Sequence, residues 1–175
     1  MGKLLGTTAE SLVMAAVYVT GAYWVTAHYG YADAITLSML GWFAVFLVCA
    51  VLLFGSIFIS IGAACTDIKD AQGMMTPAML LVMVPVFTWT AVLRAPDSAF
   101  SIAMSMFPPA TPFTMLLRIA LRPAPPLWQI LLSLALVAAT VVLAVWAAGK
   151  IFRAGILMTG KSATVGEMLR WVRAS

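Results

Sequence analysis

The chain alternates long apolar runs with short polar breaks. Ser11 to Ala27 forms the first run, and a break follows at Tyr29 to Asp33 around Gly30. A second run extends over residues 34–64, a third from Met74 to Leu93 and a fourth from Trp128 to Ala148. A bilayer core offers no water to an exposed backbone, so segments of this kind must be helical. A hydrocarbon core about 30 Å thick takes roughly 20 helical residues. The four runs therefore predict an all-α integral membrane protein, a four-span bundle in one transmembrane domain over residues 1–175. The second run would be about 46 Å long if straight, so it must tilt, bend or protrude. Gly41 and Gly55 lie within it and permit close helix packing. Pro77 and Pro85 interrupt the third span. Each is a candidate hinge, because proline removes a backbone donor and kinks a helix.

Two of the breaks carry candidate function. Asp67, Lys69, Asp70 and Gln72 form a strongly polar turn between the second and third spans. This turn is the natural point of contact with something outside the bilayer. The other break, from Arg94 to Leu127, is too long and too apolar for a plain loop. Asp97 or Ser98 can cap a short helix from Ala99 to Met106. Phe107-Pro108-Pro109-Ala110 ends it, and Thr111 caps a second helix with Pro112 at its first position. Thr114, Arg118 and Arg122 then fall at i, i+4 and i+8, one polar stripe on an apolar body. Residues 98–122 predict an external helical hairpin that dips into one leaflet or lies on it. Its candidate functional residues are Pro108, Pro109, Pro112 and Arg118.

Composition agrees with the pattern. The 175 residues are 63% hydrophobic and 9% charged, against about 25% charged in a soluble domain. A water-soluble fold would lack the polar surface to cover itself. The net charge is +4, and its bases gather near the C-terminus as Lys150, Arg153, Lys161, Arg170 and Arg173. They are not interleaved with aromatics, which points to a membrane flank and away from nucleic acid. Thr164 to Glu167 fits a capping box, and residues 164–174 predict an amphipathic helix on the membrane surface. Cys49 and Cys65 would lie about 24 Å apart on a continuous helix, so both read as packing residues. His28 sits beside Tyr29 and near Tyr31 as an interface residue. No metal-ligand spacing and no cofactor motif stands out.

With Met1 to Glu10 read as a polar lead-in, the four spans contain no carboxylate or histidine. Ion-coupled transporters and intramembrane proteases need such groups. Their absence points to a permease energised by a separate protein, not itself an enzyme. Gly155 to Ser162 matches the G-x-x-x-x-G-K-[ST] phosphate loop. That loop works only between a strand and a helix of an α/β sheet. Here an apolar span precedes it, so a nucleotide site is rejected. Basic residues favour the cytoplasmic side. Placing both termini inside puts Lys3, Lys69, Lys150, Arg153, Lys161, Arg170 and Arg173 there, against Arg94, Arg118 and Arg122 outside. The polar turn is then cytoplasmic and the hairpin external.

Three stretches carry a resemblance to a family. They are the Gly62 to Gln72 turn with Pro77 and Pro85, the Phe107 to Ile119 segment, and the Trp146 to Lys161 tail. All are similar to the type-2 ABC transporter permeases, especially the sodium-efflux-type branch. The resemblance implies an exporter permease in the plasma membrane, docked on a cytoplasmic ABC ATPase. The charged inner turn at Asp67, Lys69, Asp70 and Gln72 is the candidate contact with that ATPase. It also implies a second permease copy or the missing permease half as partner. Such permeases have about six spans, so the four found here look like the C-terminal part. The alternative reading is a membrane scaffold or assembly subunit that transports nothing.

Overall fold

The computed structural model describes residues 2–29, 36–65, 68–121 and 124–157. The described chain is all-helical: α1 (Gly2–His28), α2 (Leu37–Ala64), α3 (Ile68–Arg94), α4 (Ala99–Met106), α5 (Thr111–Ala120) and α6 (Leu127–Leu157). Four of these, α1, α2, α3 and α6, hold segments long and apolar enough to cross a membrane. The protein is a multi-pass membrane helical bundle.

Helix α2 is the central post, with α1, α3, α5 and α6 packed around it. The core joins α2, α5 and α6 through Phe46, Leu53, Met115, Ile130, Val137 and Val141. On α2 the buried positions continue as Ser56, Ser60 and Ala64, spaced by four. Such small residues let helix backbones approach where lipid provides no hydrophobic drive. The Ser56 and Ser60 hydroxyls donate to Leu53 O at 2.8 Å and Ser56 O at 2.6 Å. Neither leaves a polar group unsatisfied in the interior.

Helices α1, α3 and α6 run longer than the hydropathy pattern indicates. Helix α1 starts at Gly2, and its span-forming segment is Leu4–His28. Thr8 Oγ1 donates to Leu4 O at 2.7 Å and Ser11 Oγ to Thr7 O at 2.8 Å. These hydroxyls satisfy themselves on the helix's own carbonyls, so polar residues do not end it. Glu10 consequently falls within α1, six residues into the segment Leu4–His28 that is long and apolar enough to cross a membrane. At the far end of α1, His28 stacks on Trp24 at 5.8 Å and meets Tyr29 edge-on at 5.7 Å, an interfacial cluster.

Helix α3 also departs from expectation. It is continuous through both prolines, Pro77 exposed and Pro85 buried, so neither interrupts the span. It begins at Ile68, which puts Lys69, Asp70 and Gln72 in its first turns and not in a loop. Helix α6 runs on past Lys150 to Leu157, and Lys150 Nζ rests 4.4 Å from the Trp146 ring centroid. The first residues of the phosphate-loop lookalike, Gly155 to Leu157, are therefore helical. The remainder of that motif and the expected amphipathic helix 164–174 lie outside the described residues.

Candidate functional site

Helices α4 and α5 form a hairpin that stands among the spans. At its base, Arg118 meets Asp97, just beyond α3, and Gln129, at the start of α6. At its tip, the Phe113 ring lies 6.3 Å from Phe54. Phe54 is about 26 Å along α2 from its first residue. Met115, between base and tip, is fully buried in the central core. The hairpin is re-entrant: it enters between the spans to about the middle of α2 and returns.

A turn at that depth must leave no backbone donor or acceptor open. The residues here meet that demand. Ser98 caps α4 by accepting from Ser101 N at 3.2 Å. At the other end of α4, the last carbonyls lack helical partners. Thr114 Oγ1 lies within donating distance of Met104 O at 3.2 Å and of Ala110 O at 2.9 Å, and Thr111 Oγ1 of Ser105 O at 3.0 Å and of Phe107 O at 2.9 Å, so each hydroxyl proton is shared between the end of α4 and the tip. Ala110 N closes the tip on Phe107 O at 2.9 Å. Pro108, Pro109 and Pro112 carry no N–H, so they bring no orphan donor to the tip. Thr111 does not cap α5, as the spacing suggested. Ala110 holds the N-cap position without a side-chain bond, and Pro112 follows Thr111 as the second helical residue. The Thr111 hydroxyl faces the Ser105 and Phe107 carbonyls instead.

Arg118 is the largest fully buried side chain, 1% exposed. Its Nη2 donates to Gln129 Oε1 at 2.8 Å and lies 3.5 Å from Asp97 Oδ1. Its Nη1 reaches Ser105 Oγ at 3.4 Å. Nε has no partner among the described residues. One cation thus ties the hairpin to the end of α3, to α4 and to α6. The polar stripe expected on α5 exists at Thr114 and Arg118, but it points inward, while Phe113 is 47% exposed. Arg122 lies outside the described residues. Among the described residues no group of three His, Cys, Asp or Glu could hold a metal. The Arg118 contacts hold the hairpin in position among the spans.

A family model described as "ABC-2 family transporter protein" matches residues 1–150. The chain belongs to the ABC-2 transporter family. It is 21% identical over 169 residues to the uncharacterised protein MJ1024 of Methanocaldococcus jannaschii, which covers 97% of this chain and 41% of that protein. It is 28% identical over 118 residues to the uncharacterised protein YhaP of Bacillus subtilis, covering 67% of this chain and 28% of the relative. The chain thus spans less than half the length of either relative. No solved structure matches it.

In this ABC-2 protein the hairpin candidates lie on one element, Pro108, Pro109 and Pro112 toward its tip and Arg118 at its base, with Pro112 and Arg118 buried. The polar-turn candidates sit near the opposite end of α3, about 40 Å of helix from the hairpin's base at Arg118. Lys69 and Gln72 are exposed there. Asp70 is helical with its side chain undescribed, and Asp67 lies outside the described residues. The hinge candidates Pro77 and Pro85 fall between the two groups. Sequence reasoning missed Gln129 and Ser105 as partners of Arg118. A signal for Ser105 was present: Asp97, Ser101 and Ser105 are spaced by four, a polar line into the hairpin.

Proposed function

We propose that this chain forms the membrane-spanning permease part of an ABC-type exporter, with ATP hydrolysed on a separate cytoplasmic ATPase. Family membership over residues 1–150 carries the reading. The re-entrant hairpin fits it, because a short helical pair wedged among spans can seal one side of a pathway. Work would be done jointly with a second permease copy or with the remainder of a longer permease. The chain itself would be no enzyme. Both termini would lie in the cytoplasm, and the plasma membrane would be the site of action. The exposed Lys69 and Gln72 end of α3, with Asp67 and Asp70, is then the surface offered to the ATPase. Sodium export rests on the resemblance to the sodium-efflux-type branch alone.

Co-purification from gentle detergent tests this. A tagged chain expressed in its own host should bring down an ABC ATPase and raise its ATP hydrolysis. Charge reversal at Asp67 and Asp70 should abolish both effects. A chain that folds and inserts, yet recruits and stimulates no ATPase, is a scaffold and not a permease part.

A further inference from the structure

We propose that the base of the hairpin is an oxyanion site, in which the Arg118 guanidinium takes a phosphate or carboxylate group in the place now held by Asp97. The donors are the first observation. A guanidinium carries five N–H groups in a planar fork. Arg118 commits one to a short bond, from Nη2 to Gln129 Oε1 at 2.8 Å. Its Nη1 contact with Ser105 is long, at 3.4 Å, and the buried Nε has no partner among the described residues. A buried cation is stable only when its remaining protons are satisfied. At 1% exposure Arg118 cannot turn to water for them. It is short of acceptors, and the two oxygens of a phosphate or carboxylate match its fork.

The acid that Arg118 does meet is the second observation. Asp97 Oδ1 stands 3.5 Å from Nη2, beyond the length of about 2.7–2.9 Å of a charge-assisted bond. The Asp97 side chain is 60% exposed, and the residue lies in the turn between α3 and α4. A rotation of that side chain frees Nη2 without unwinding either helix. An oxyanion that bonds Nη2 at full strength therefore displaces it. Asp97 marks the position and the charge of the ligand, and it covers the site until one arrives.

Local charge agrees. Arg94, the exposed last residue of α3, makes no ion pair among the described residues. Gln129 belongs to the first turn of α6, which holds no acid to offset the positive end of that helix. Among the described residues the hairpin base is thus net positive. It lies where α3 ends and α6 begins, with the exposed Trp128 beside Gln129. Exposed tryptophans favour the membrane interface, a level that both lipid phosphates and dissolved anions reach.

Binding needs neither ATP nor a partner, so this proposal stands apart from the transport reading. The full chain in dodecyl maltoside micelles is titrated with phosphatidic acid, read by native mass spectrometry, and with inorganic phosphate, read by phosphorus NMR line broadening. Asp97→Asn should bind about fivefold tighter than the unaltered chain, the factor that a screened pair of this kind costs a competitor. Glu10→Gln makes the same change in net charge on another helix and should leave affinity unchanged. Arg118→Gln added to Asp97→Asn should remove the gain, with circular dichroism verifying helicity. Tighter binding of phosphatidic acid alone assigns the site to a lipid headgroup. Tighter binding of inorganic phosphate assigns it to a free anion. Equal affinity of Asp97→Asn and the unaltered chain overturns the site, as does an equal gain in Glu10→Gln. So does equal binding of diacylglycerol, which lacks the phosphate and would make the acyl chains the attraction. A chain that fails this test yet recruits an ATPase loses this site and keeps the permease reading.

Discussion

Arg118 is held by partners of unequal worth. The bond to Gln129 at 2.8 Å is charge-assisted and buried, the kind that contributes about 1.5–3 kcal/mol. Asp97 is 60% exposed at 3.5 Å, so water screens that pair to about 0–1 kcal/mol. Arg118→Ala should therefore destabilise by about 3 kcal/mol, since it also strands buried Gln129. Asp97→Asn should cost less than about 1 kcal/mol. Arg118→Lys should not rescue, because an ammonium cannot span Gln129 and Ser105 as the planar fork does. Chemical denaturation in detergent micelles reads all three. Equal losses for Arg118→Ala and Asp97→Asn would show that the exposed pair, not the amide, holds the hairpin. The sequence spelled out the spacing of Thr114 and Arg118 but not their direction. On a soluble helix a polar stripe faces water. Inside a bilayer the same stripe turns toward other polar groups, and only the neighbouring Gln129 and Ser105 reveal which way.

Among the elements, α4 and α5 were legible as a helical pair because Ser98, the Pro108-Pro109 break and Pro112 are strong local signals. Their depth was not legible, since it depends on α5 finding Met115 a place between α2 and α6. Two measurements test the depth and its cause. In a background with Cys49 and Cys65 replaced, a membrane-impermeant maleimide should label Ser98→Cys readily and Ala110→Cys hardly at all. Comparable labelling would mean the hairpin lies on the surface. Thr111→Val and Thr114→Val keep shape but remove hydroxyls shared between Ser105 O and Phe107 O, and between Met104 O and Ala110 O. Each should lower stability by about 1–2 kcal/mol, read as a lower denaturation midpoint. The starts of α1 and α3 were misjudged for a common reason. Thr7, Thr8, Lys69 and Asp70 look like breaks in hydropathy, yet hydroxyls back-bonding to the helix and charges at a helix end are compatible with continued helix.

For the molecule as a whole, apolar composition and four long runs made the helical membrane bundle evident from the sequence. What pattern alone could not give is how unevenly the bundle is held. Helix α1 packs chiefly on α2, and only 6% of its membrane-spanning window is buried, against 33% for α2. Hydrogen exchange should therefore find α1 the least protected span and α2 the most, in detergent and with no partner added. Association with further permease helices should raise protection along α1 first. Uniform protection across the spans would mean that the bundle is complete without outside cover.

The re-entrant hairpin also gives the protein a tapered outline. On its side of the bilayer a cross-section cuts six helices, and on the other side only α1, α2, α3 and α6. Lipids in the two leaflets must therefore make room for unequal areas. A body of that shape is sensitive to curvature. Lipids that crowd the hairpin's leaflet press on α4 and α5, and lipids that relax it leave them free to move. Any rearrangement that draws the hairpin out or drives it deeper changes the area taken from one leaflet alone, so the bilayer's own tension enters the energy of that rearrangement.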